Sequence, residues 1–149
     1  MQIMLGLLLV LSPFLFQQAA VASSFQGTTE PAAFAQFQAE KNPEAKKKLA
    51  LGFEKNYPKS RRLPDVYIEL SKALVAGNDY ATAKQYAEKA VSAVTALKAQ
   101  PTPPENTDKT WHEWLSTIDA SAKSNQSWVN QMAAWQQQQL RGLLNGGKR

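Results

Sequence analysis

The stretch Pro64 to Val94, PDVYIELSKALVAGNDYATAKQYAEKAVSAV, decides how the chain folds. Pro64-Asp65 is a helix start: proline fits the first turn, and an acid there faces the positive end of the helix dipole. Tyr67, Leu70 and Leu74 then fall at steps of three and four on one stripe, and Gly77 is placed to end the helix. A tight Gly77-Asn78-Asp79 turn leads to a second helix, in which Tyr80, Ala83, Ala87, Ala90, Val91, Val94 and Leu97 recur at the same spacing. Alanine dominates that stripe. Small side chains let two helix axes approach closely, so the two helices are expected to pack as an antiparallel hairpin.

Outward from this hairpin the same periodicity continues in both directions. Upstream, Asn42-Pro43-Glu44 combines a cap, a first-turn proline and an acid. The helix that follows sets Ala45, Leu49, Phe53 and Tyr57 four apart, with its lysines expected elsewhere on the circumference, and must stop before Pro58. Before it, Pro31 opens a short helix in which Ala33, Phe34 and Phe37 share a side. Residues 23–30 read as a flexible lead-in. Downstream, Pro101, Pro103 and Pro104 mark 99–108 as a linker. A fifth helix capped by Thr107 or Asp108 should carry Trp111, Trp114, Leu115, Ile118 and Ala122, and a sixth, after a break at Ser124-Asn125, Trp128, Met132, Trp135 and Leu140. No stretch alternates as a half-buried strand does, so the expected fold is all-α: a short stack of antiparallel hairpins over 31–98 with a tryptophan-rich helical pair over 109–145.

Pro64–Val94 resembles a tetratricopeptide repeat, in register and without a gap. Tyr67, Leu70 and Ser71 stand where that family carries a large aromatic, a leucine and a small residue, Leu74 where a tyrosine is usual, and Ala83 and Ala90 at its two alanines, with Tyr80 opening the second helix. Ala87 replaces a bulky aromatic, the turn glycine comes one position early, and Thr95 takes the place of the terminal proline. The preceding segment, ending in Tyr57-Pro58-Lys59-Ser60, is similar to the exit of repeats in bacterial envelope proteins. The resemblance implies that Tyr67, Leu70, Ser71, Leu74, Tyr80, Ala83 and Ala90 pack the repeat. It also implies that Asp65, Ile68, Lys72 and Val75 line an open protein-binding face.

The first residues read as an address. An apolar run from Ile3 to Phe16, then Gln17-Gln18 and the small-x-small triplet Ala20-Val21-Ala22, has the order of a secretory signal cleaved after Ala22, which predicts a periplasmic or secreted product. Membrane contact is expected only through that leader where it is retained.

The chain of 149 residues has no cysteine and one histidine, so thiol chemistry is excluded and a metal site would lack its usual ligands. No cofactor or metal is expected. His112, Ser116 and Asp119 are one turn apart, but a regular helix supplies neither a rigid nucleophile turn nor an oxyanion hole, and no enzyme is expected. The net charge of +5 concentrates in Lys46, Lys47, Lys48, Lys55, Lys59, Arg61 and Arg62. Such a run is usually a solvated face; as an alternative function it would attract an anionic polymer, lipid headgroups or nucleic acid. Trp111, Trp114, Trp128 and Trp135 have helical spacing that argues for burial, with Trp114 and Trp135 the candidates for exposed rings. Gln136 to Gln139 read as an exposed helix face. The function expected is that of an exported adaptor or scaffold binding a protein or peptide.

Overall fold

The computed structural model describes residues 27–146, and the apolar leader and its cleavage triplet lie outside them. Five helices follow one another: α1 Glu30–Ala39, α2 Pro43–Asn56, α3 Leu63–Ala76, α4 Tyr80–Lys98 and α5 Asp108–Gly146. The described residues contain no strand, and the chain is all-α.

The starts of α2, α4 and α5 follow from their caps, while α1 and α3 begin with a first-turn proline. The Asn42 side chain accepts from the Ala45 N–H at 3.0 Å and that of Asp79 from the Thr82 N–H at 3.1 Å, each satisfying a donor that the first turn leaves open. Thr107 caps α5, its hydroxyl accepting from the Thr110 N–H at 3.2 Å. At the α3–α4 turn the left-handed residue is Asn78, with φ of 63°, whereas Gly77 keeps a φ of −85°. Gly77 matters for a different reason: a Cβ there would lie 3.2 Å from the Pro43 ring, a tight contact at the point where α2 begins.

The α3–α4 hairpin is the centre. Tyr67, Leu70, Ser71, Leu74, Tyr80, Ala83 and Ala90 are all buried, and the Tyr67 and Tyr86 rings meet at 5.9 Å. α1 and α2 cover one side of α3, with Phe34, Phe37 and Phe53 forming an aromatic wedge between them. Tyr57 donates a hydrogen bond to the Thr28 carbonyl, and the Ser60 hydroxyl meets the Glu30 carboxylate at 2.8 Å, so the exit from α2 is fastened to the start of α1.

Two expectations are corrected here. The last helices are one: α5 runs unbroken through Ser124 and Asn125. Asn125 does not break it because its amide is used inside the protein, donating to the Ser71 hydroxyl at 2.8 Å instead of competing for its own backbone. The lysines of α2 are also not all on its open side. Lys46 is buried, its ammonium 4.6 Å from the Phe37 ring centroid and 3.2 Å from Glu69, its stem lying along apolar surface.

Candidate protein-binding cleft

α5 lies along α3 and α4, burying Ile118, Ala122, Val129 and Ala133 in the shared core. It therefore covers much of the face expected to be open. Ile68 and Val75 are each only 6% exposed and Asp65 is half-buried, leaving Lys72 as the one fully exposed member of that set. The physical reason is Ser71. A side chain this small lets α5 approach α3, and its hydroxyl holds Asn125 there.

What remains is a cleft of about 680 Å³ between the two helices, lined by Ile68 and Lys72 of α3 and by Ala120, Ser121, Ser124, Asn125 and Trp128 of α5. Its buried lining is Ile68 together with the Asn125 amide, and its exposed lining includes Lys72, Ser121, Ser124 and Trp128. The Ser71 hydroxyl donates to the Ile68 carbonyl at 2.8 Å, so its oxygen can only accept from Asn125, which fixes the orientation of that amide. Asn125 Oδ1 is buried and accepts no hydrogen bond from the protein. Lys72 enters no ion pair among the described residues, which leaves its ammonium available to an anion in the cleft. Trp128, 38% exposed, supplies a partly open aromatic wall. Sequence reading missed Ser121, Ser124 and Asn125 as lining residues. Their steps of three and four toward Trp128 hold the signal, but only for a helix read as continuous.

Asp65 belongs to a neighbouring hollow with Glu30, Lys59, Arg61, Arg62 and Trp114. Burial raises its carboxyl above the ordinary range, and Glu69 adds to the effect while Arg62 opposes it. The basic cluster is largely answered from within. Lys46 pairs with Glu69, Arg61 with Glu105 at 2.7 Å and Arg62 with Glu30 at 3.7 Å, while Lys47 approaches Asp79 at 3.9 Å. Lys48, Lys55 and Lys59 remain exposed.

Trp111 and Trp114 stack with centroids 5.0 Å apart; the first is buried and the second half-buried, whereas Trp135 is 52% exposed. His112, Ser116 and Asp119 form no relay: His112 Nδ1 lies 2.6 Å from the Asp108 carbonyl, and Asp119 binds Lys98 and Lys123 at 3.0 and 2.8 Å. Hydrogen bonds from Lys123 and then Lys98 hold that carboxyl below the usual carboxylate range. Among the described residues no three His, Cys, Asp or Glu side chains group as metal ligands, and no helix is long and apolar enough to cross a membrane. No family model, curated protein or solved structure matches the chain.

Proposed function

We propose that the chain is an exported, non-enzymatic adaptor that holds a segment of another protein in the cleft between α3 and α5. The observation that carries this reading is a cleft walled by Ile68 and Trp128 and edged by the Lys72 ammonium, which enters no ion pair among the described residues. Ile68 and Trp128 would take an apolar side chain, Lys72 a carboxylate, and the Ser121 and Ser124 hydroxyls the peptide backbone. Recognition would then rest on shape and a few polar contacts, with no covalent chemistry. A kinship with tetratricopeptide repeats is supported by the buried small residues at Ser71, Ala83 and Ala90, and by the left-handed Asn78 at the place where the family carries glycine. The rival reading, an anionic-polymer binder working through the Lys46–Arg62 cluster, is weakened by the ion pairs that occupy four of those side chains.

A photo-crosslinking residue at Ser124, introduced in the native host, is expected to give a discrete protein adduct that the same probe at Lys48 does not give. Lys72→Glu should reduce that adduct by about tenfold, the weight of one charge-assisted contact, and Lys72→Arg should largely preserve it. Equal adducts from Ser124 and Lys48, or indifference to Lys72→Glu, would count against the cleft. A polymer binder would instead lose its ligand as salt rises.

A further inference from the structure

α5 outlasts the body it packs on. Its level with the first turn of α4 is marked by a hollow shared by Tyr80, Ala81 and Lys84 with Ala133, Gln136 and Gln137. Beyond it, Gln138 to Gly146 project as about 13 Å of helix at the ordinary rise. Every residue from Gln137 to Leu144 is exposed.

The exposed part is not a polar overhang. Val129 and Ala133, buried in the core, are followed on the same face by Leu140 and Leu144, with Leu143 beside them, so the core-facing stripe continues after its neighbours have ended. Leu143 is 76% exposed. Trp135 lies toward one side of this stripe, next to Leu143, and Arg141 toward the other, next to Leu144. Beyond Gln137 the sequence carries Arg141, Lys148 and Arg149 and no acid.

We propose that the projecting end of α5 binds an anionic lipid surface, lying in the headgroup plane with its leucines and Trp135 buried and its cations on the phosphates. An exposed leucine stripe with Trp135 toward one side and Arg141 toward the other is the pattern of an interfacial helix, and the positive charge of the sequence beyond Gln137 selects lipid of opposite sign. A second copy fits less well, because antiparallel pairing centred on Leu140 would set the two Arg141 side chains close together. This contact is independent of the α3–α5 cleft.

The absence of cysteine allows a single environment-sensitive dye on the full chain at Gln139→Cys, with Lys48→Cys as the control site. Phosphatidylglycerol vesicles are expected to shift the dye at 139 to the blue and leave the one at 48 unchanged, with little response to phosphatidylcholine. The paired change Leu143→Asp and Leu144→Asp, both on exposed positions, should weaken partitioning at least about tenfold. Arg141→Glu should weaken it with no loss of helix signal, and Lys72→Glu should leave it as it is. No shift at 139, an equal shift with both lipids, or a shift without vesicles that grows with protein concentration would each overturn the proposal, the last by assigning the face to a second copy.

Discussion

Asp79 shows how much a single side chain contributes at the sharpest turn of the molecule. It caps α4 through the Thr82 N–H and lies 3.9 Å from Lys47 of α2, so it joins two helices that touch α3. Hydrogen bonding from the Thr82 side chain holds its carboxyl below the usual carboxylate range, aided by the Thr82 backbone and Lys47 and opposed by partial burial. A carboxyl whose value is depressed by folding stabilises the fold wherever it is ionised in both states, and that contribution disappears as pH falls through the folded value. Asp79→Ala is therefore expected to cost about 1 kcal/mol at neutral pH. Urea unfolding should show the gap between variant and parent narrowing below about pH 4, and Asp79→Asn should keep only the part of the cap that a neutral acceptor supplies, with no such pH dependence. A gap of constant size from pH 7 to pH 3 would mean that the ionised carboxylate is not what stabilises the turn.

At the scale of the helices, the α3–α4 seam depends on side chains that are nearly absent. Ala83 and Ala90 are wholly buried in α4, so any added carbon must displace the facing helix. Ala90→Leu is expected to destabilise by about 1–3 kcal/mol in thermal or urea unfolding, as overpacking does, whereas Ala81→Leu on the exposed side should stay within about 0.5 kcal/mol. This hairpin was legible in the sequence because its information is local: caps, turn and alanine stripe all lie between Pro64 and Leu97. The starts of α1 and α2 were legible for the same reason. The continuity of α5 was not, because what keeps Asn125 helical is Ser71, 54 positions away, and local propensity favours a break. The same distant contact explains why the predicted face of Asp65, Ile68, Lys72 and Val75 was only partly visible: its register follows from helical spacing, but the helix that lies over Ile68 and Val75 could not be placed from periodicity. Lys46 was misread for a related reason, since Phe37 and Glu69, which receive its stem and its charge, stand on two other helices.

Across the whole molecule, α5 joins regions of very different support. Its first turns close a small cluster of Leu97, Trp111 and Leu115, its middle packs Ile118, Ala122 and Val129 into the main core, and Gln137 to Leu144 are exposed. A helix segment this short does not hold itself together in water, and Gly142 and Gly146 lower its propensity further. Helical order should consequently fall along one unbroken element. Amide hydrogen exchange is expected to show Leu115 to Ala133 protected nearly to the level of global unfolding, while Gln138 to Gly146 are slowed by less than about tenfold relative to free peptide. The boundary should lie near Gln137, where α4 ends its cover. Full protection of the terminal turns in dilute protein, with no lipid present, would mean that another surface already covers those leucines. Weak protection that rises selectively over Gln138 to Gly146 when anionic vesicles are added would tie the order of this end of the helix to the surface it binds, while the α3–α5 cleft remains built on the rigid half.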